Sequence, residues 1–170
     1  AEYIRDGLNY SRWKQNLINC IEQGRFRRIM IMMTINLLCL DTITDFLDEM
    51  IELKKKYGRN YPSLSLNILR YPSFQSPAIL PKHLKQLYAD KLKCWLGDQV
   101  SSEILNQVEI ESVSRLIHYL EQVTEPHPQA LHVDILRQDF KSFYNQYDQR
   151  RSKNFHDVFV GSLSDWAKSL

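Results

Sequence analysis

The chain has 170 residues, 44% hydrophobic and 25% charged, proportions that suit a globular domain with a core of its own. Its net charge of +2, from 22 basic and 20 acidic residues, is too small to imply a polyanionic partner, so nucleic acid is not expected. No apolar run is long enough to cross a bilayer: the longest, Ile29 to Leu40, is interrupted by Thr34 and Asn36.

Three cysteines, Cys20, Cys39 and Cys94, are widely spaced and show no CxxC pattern. We expect buried, inert thiols in a reducing, cytoplasmic compartment. The opening residues Ala1 to Asp6 lack both the apolar stretch of a secretory leader and an initiator Met, so processing or truncation is expected to have made this N-terminus.

In chain order, Asn9 or Ser11 caps a first helix whose apolar stripe is Tyr10, Trp13, Leu17, Cys20 and Ile21, stopping at Gly24. After the basic turn Arg25 to Arg28, the apolar run Ile29 to Leu38 reads as a strand buried on both faces. Asp41 to Asp45 opens the next helix, with Ile43, Phe46, Leu47, Met50 and Ile51 on one stripe and Lys54, Lys55, Lys56 and Gly58 at its end. Leu64 to Leu69 reads as a second strand. Strand, helix, strand in this order is a βαβ unit, whose strands lie parallel.

A loop, Tyr71 to Pro77, leads to a helix opened by Pro81 and stopped at Gly97. A long helix beginning at Ser101 or Ser102 carries Ile104 to Val123 and ends at Glu125-Pro126-His127-Pro128. A further helix carries Ile135 to Tyr147, and Asp148 to Leu170 form a tail. Two strands do not make a stable parallel sheet, so further strands are expected before Ala1.

The chemistry is sparse. His127, His132 and Asp134 lie close in sequence but fit no zinc pattern, and His83, His118 and His156 stand alone. The five glycines form no phosphate loop, and no Ser or Cys has the surroundings of an activated nucleophile. No catalytic residue and no metal ligand is assigned.

Asn36 is more informative, because a polar amide at the end of a buried strand costs free energy unless it is hydrogen-bonded. It either faces a ligand at the C-terminal end of the strands or bonds internally to the following loop. Arg5 and Arg70 either clamp a carboxylate or form surface ion pairs. The tail from Tyr147 to Phe159 is either a docking segment or a strap whose Phe155, Phe159 and Trp166 pack on the core while Asp148 pairs with an arginine.

Four segments, in this order and spacing, carry a family likeness. They are Ala1-Glu2-Tyr3-Ile4-Arg5-Asp6-Gly7-Leu8, Met33-Thr34-Ile35-Asn36, Asn67 to Phe74 with Leu80-Pro81, and Tyr147-Asp148-Gln149-Arg150-Arg151 through Phe159. Together they resemble the C-terminal half of radical S-adenosylmethionine proteins with a twitch extension. The resemblance implies an α/β fold: the second half of a partial (β/α)6 TIM-like barrel over residues 1–98, with parallel strands at about 28–38 and 63–70, and a helical extension over 99–170.

It further implies that Asn36 and Arg5, and more weakly Arg70, contact S-adenosylmethionine. The intact protein would cleave this cofactor reductively with a 4Fe-4S cluster to generate a radical. The CxxxCxxC motif that binds the cluster is absent here, so this segment is expected to be inactive without a missing N-terminal barrel half. The substrate is not identified, and no cysteine set after Cys94 suits an auxiliary cluster. The alternative expectation is a non-catalytic helical interaction module formed by residues 81–170 on a βαβ scaffold.

Overall fold

A computed structural model describes residues 1–58, 61–122 and 132–170. The Asn9 side chain accepts the Arg12 N–H at 2.8 Å and caps α1, Tyr10–Glu22. Next come β1, Met30–Ile35, a 3-10 turn, Leu37–Thr42, α2, Ile43–Tyr57, and β2, Ser63–Ile68. Two short 3-10 turns lead into α3, Lys82–Val100, and α4, Gln107–Gln122, and then α5, Val133–Arg151, α6, Phe155–Val158, and α7, Ser162–Ser169. The helix stop proposed at Glu125-Pro126-His127-Pro128 lies outside the described residues.

β1 and β2 pair in parallel, in register from Met30 beside Ser63 to Ile35 beside Ile68. The partial (β/α)6 barrel is not found. Of the described residues 67% are helical, and the sheet has two strands. Where a third strand would pair with β2, helix α4 lies instead. The Glu109 carboxylate accepts the Leu64 N–H at 2.9 Å, the Ser112 hydroxyl accepts the Leu66 N–H at 2.8 Å, and the Arg115 guanidinium reaches the Leu66 carbonyl at 3.4 Å. Side chains of one helix thus complete the ladder that the barrel reading assigned to a neighbouring strand.

Glu109 also anchors this corner. Its carboxylate accepts the Asn106 N–H at 2.9 Å while the Asn106 side chain accepts the Glu109 N–H at 3.1 Å, a reciprocal cap at the start of α4. The same carboxylate meets the Lys54 ammonium of α2 at 2.8 Å, with Lys54 1% and Glu109 2% exposed. A buried charge is tolerated only with a charged and hydrogen-bonded partner, and here one carboxylate ties α2, β2 and α4 together.

The β1 strand is covered on one face, not two. Ile31, Met33 and Ile35 turn to the core beside Leu64 and Leu66, whereas Met30 and Met32 remain 43% and 70% exposed. The strand also stops at Ile35, short of Leu38, because Asn36 turns the chain. Further on, α3 runs through Gly97 to Val100, so α4 starts at Gln107 and not at Ser101 or Ser102. Cys94 is exposed on α3, contrary to the buried thiol expected there.

The core is a continuous set of buried side chains from both halves of the chain. Leu47 and Met50 of α2, Leu84 and Leu92 of α3, Leu116 and Leu120 of α4, Phe140 of α5 and Leu163 of α7 all belong to it. Each such side chain contributes about 1.5–3 kcal/mol on burial. Phe155, Phe159 and Trp166 of the tail pack into the same core as a strap. Asp148 pairs with no arginine among the described residues: it accepts the Tyr3 hydroxyl and the Phe155 N–H, each at 2.7 Å. Among the described residues no helix is long and apolar enough to cross a membrane.

Candidate functional site

The C-terminal ends of β1 and β2 share one end of the sheet, and Asn36 and Arg70 follow them there. Asn36 follows β1 in an extended conformation, φ −93° and ψ 172°, and caps the 3-10 turn after it. Its side-chain oxygen and its backbone carbonyl both lie 3.1 Å from the Cys39 N–H. That bond is the internal reading of Asn36. The Asn36 amide nitrogen makes no hydrogen bond to the described residues and is open to solvent; the buried polar side-chain atom without a partner among them is the Tyr88 hydroxyl.

Leu37, Leu38 and Leu40 are buried and hold the turn in place, which orients Asn36 and Cys39. The Cys39 thiol lies 3.8 Å from the Thr34 carbonyl. Burial pushes this thiol above its ordinary value, while a backbone hydrogen bond from Asn36 and the charge of Arg5 pull the other way. The charges of the N-terminus and of Arg5 are thus felt at this thiol, and Arg5 makes no hydrogen bond to Asn36 or Cys39 among the described residues.

Residues on either side of Arg5 are anchored to the C-terminal part of the chain. Tyr3 is buried, with its ring centroid 5.4 Å from that of Tyr147, 5.2 Å from Phe159 and 5.9 Å from Phe155, and the Tyr147 hydroxyl donates to the Tyr3 carbonyl at 2.6 Å. Asp6 pairs with Lys153 at 2.9 Å and Arg151 at 3.4 Å, which hold its carboxyl below the ordinary range. The exposed Arg5 guanidinium itself makes no ion pair among the described residues. Burial and the adjacent Asp148 carboxylate push the Tyr3 hydroxyl far above its ordinary value, so it stays a neutral donor.

Arg70 stands two residues beyond β2, exposed and at the same end of the sheet by register, with no contact to Asn36 or Arg5. Sequence reasoning missed Cys39 and Tyr3 as parts of this site. The Asn36-x-x-Cys39 spacing signals an asparagine side chain bonding three residues ahead, and it was readable. Tyr3 carried no signal, because its partners lie far along the chain.

No group of three His, Cys, Asp or Glu side chains able to hold a metal is found among the described residues. His132 and Asp134 form an exposed pair at 3.3 Å, and His127 lies outside the described residues. Cys20, Cys39 and Cys94 do not converge, so the residues present do not fit a 4Fe-4S cluster. Comparison with protein-family models, with curated proteins and with solved structures finds no match.

Proposed function

We propose that this chain supplies S-adenosylmethionine contacts to a radical S-adenosylmethionine enzyme and does not hold that enzyme's cluster. The reading rests on the order and spacing of the resembling segments. The observation that supports it is the Asn36 amide at the end of β1, whose oxygen alone is used within the fold, beside a turn at which the charge of Arg5 is felt. Arg5 would hold the cofactor carboxylate, a pairing that suits the planar guanidinium, and the Asn36 amide would donate to a hydroxyl or carboxylate oxygen. When bound, S-adenosylmethionine supplies the sulfonium group whose carbon–sulfur bond breaks in that family. The Tyr3 anchor positions Arg5, and the buried turn at Leu37 and Leu38 fixes Asn36.

The test is titration of S-adenosylmethionine into the ¹⁵N-labelled chain, followed by amide shifts. Shifts confined to Arg5 and to residues 34–39 are expected. Asn36→Asp keeps the oxygen that caps Cys39 and removes the donor, and Arg5→Ala removes the cation. Each should weaken binding about tenfold, the scale of one charge-assisted hydrogen bond. No shifts at millimolar cofactor, or unchanged affinity in both variants, would refute the assignment.

A further inference from the structure

At the other end of the sheet, where β1 and β2 begin, the basic turn before β1 meets the residue that precedes α4. Arg27, Arg28, Tyr61, Ser63 and Asn106 line a recess of about 360 Å³, the size of the smaller ligand pockets. On an extended chain neighbouring side chains point to opposite sides, yet both arginines reach this recess because the chain bends at Arg27. Tyr61 holds the bend: its hydroxyl lies 3.0 Å from the Phe26 carbonyl and 2.6 Å from the Arg27 carbonyl. Ser63 fixes Ile29, its N–H and its hydroxyl donating to the Ile29 carbonyl at 2.9 and 3.2 Å.

The charge of the recess is not balanced from within. Neither arginine has a carboxylate partner among the described residues. Glu109, three residues beyond Asn106, is already committed: it is 2% exposed, meets the Lys54 ammonium at 2.8 Å and accepts the Leu64 and Asn106 N–H groups. Two adjacent guanidiniums without a counter-charge repel each other, and a dianion relieves that repulsion. Asn106 spends its side-chain oxygen on the Glu109 N–H, which leaves its amide nitrogen to donate. The Tyr61 and Ser63 hydroxyls spend their protons on carbonyls, which leaves oxygen lone pairs to accept.

We propose that this recess binds the phosphate monoester of a small hydroxyl-bearing molecule, a sugar phosphate in chemical class. The planar guanidiniums of Arg27 and Arg28 take the dianionic phosphate through paired N–H donors, and Asn106, Tyr61 and Ser63 meet the hydroxyls. Two cations match a monoester better than the single charge of a diester or a carboxylate. The site lies about 20 Å along the strands from Asn36, so it is separate from the cofactor contacts proposed above.

The probes are ribose 5-phosphate, inorganic phosphate, dimethyl phosphate and sulfate, followed by isothermal titration calorimetry and by amide shifts of the ¹⁵N-labelled chain. Ribose 5-phosphate should bind with a Kd below about 1 mM, more tightly than inorganic phosphate and at least about tenfold more tightly than dimethyl phosphate. Shifts are expected at Arg27, Arg28, Ile29, Ser63 and Asn106, and none at Asn36. A phosphate monoester loses its second charge near about pH 6, so its affinity should fall between about pH 7.5 and about pH 5 while that of sulfate holds. Arg27→Gln and Arg28→Gln should each weaken binding about tenfold, and Arg25→Gln, outside the recess, should leave it unchanged. Equal affinity for inorganic or dimethyl phosphate, unchanged affinity in both recess variants, or no binding of ribose 5-phosphate at about 10 mM would each overturn the proposal.

Discussion

Ser112→Ala tests whether α4 really takes the place of a strand. The hydroxyl accepts the Leu66 N–H at 2.8 Å, and both residues are buried, so the variant leaves a backbone donor in the interior without its partner. An unsatisfied buried donor costs about 1–3 kcal/mol, and the cavity left by one oxygen adds little to this. In a chain of this size each kcal/mol shifts the thermal midpoint by about 2–4 °C, so a fall of roughly 4–8 °C is expected for a loss near 2 kcal/mol. Differential scanning calorimetry reads that fall, and amide exchange should quicken at Leu66 before it quickens elsewhere in β2. Ser162→Ala, on an exposed helix start, serves as the control. A midpoint within about 1 °C of the parent, with unchanged Leu66 exchange, would refute the idea that the hydroxyl seals this edge.

Glu109→Gln should be more costly, about 3–5 kcal/mol by chemical denaturation, because it takes a buried carboxylate from Lys54 and from one of two backbone donors. Asp148→Ala removes the acceptor of both the Tyr3 hydroxyl and the Phe155 N–H. A loss of about 2–3 kcal/mol and faster tryptic cleavage at Arg5 are expected, with Asp148→Asn intermediate. Burial raises the Asp41 carboxyl above its ordinary 3.8, reinforced by Asp45 and opposed by Lys91. A carboxyl raised on folding stabilises the fold below its unfolded value and loses that contribution as pH rises through the folded value. Asp41→Asn should therefore raise the thermal midpoint at pH 7 and lose the advantage near pH 3.5, and an equal gain at both pH values would contradict the sign.

The βαβ unit was legible because two independent patterns agreed: the apolar run into Ile35 and the Ile43, Leu47, Met50, Ile51 stripe with lysines at its end. The covering of β1 was not legible, since an apolar run reads the same whether one face or two are buried. The barrel came from the resemblance, and what replaced it was hidden in a helix. Glu109 and Ser112 look like ordinary polar positions of α4 until their bonds to β2 are seen. The Asn106-x-x-Glu109 cap could have been read and would have moved the start of α4 from Ser101 to Gln107. Lys54 read as one of three solvated lysines, because no local pattern tells which member of a run turns inward.

At the site, Asn36 was found because a polar residue ending an apolar strand is conspicuous. Of the two readings offered for it, the structure shows the internal one, its oxygen bonded to the following turn. Arg5 follows Tyr3, whose anchors Tyr147, Asp148 and Phe155 lie at the other end of the chain, a separation that no periodicity spans.

The unequal finish of the sheet gives it a direction. With the outer side of β2 closed by the side chains of Glu109 and Ser112, the sheet can be extended from the β1 side alone, so this chain can terminate a larger sheet but cannot stand in the middle of one.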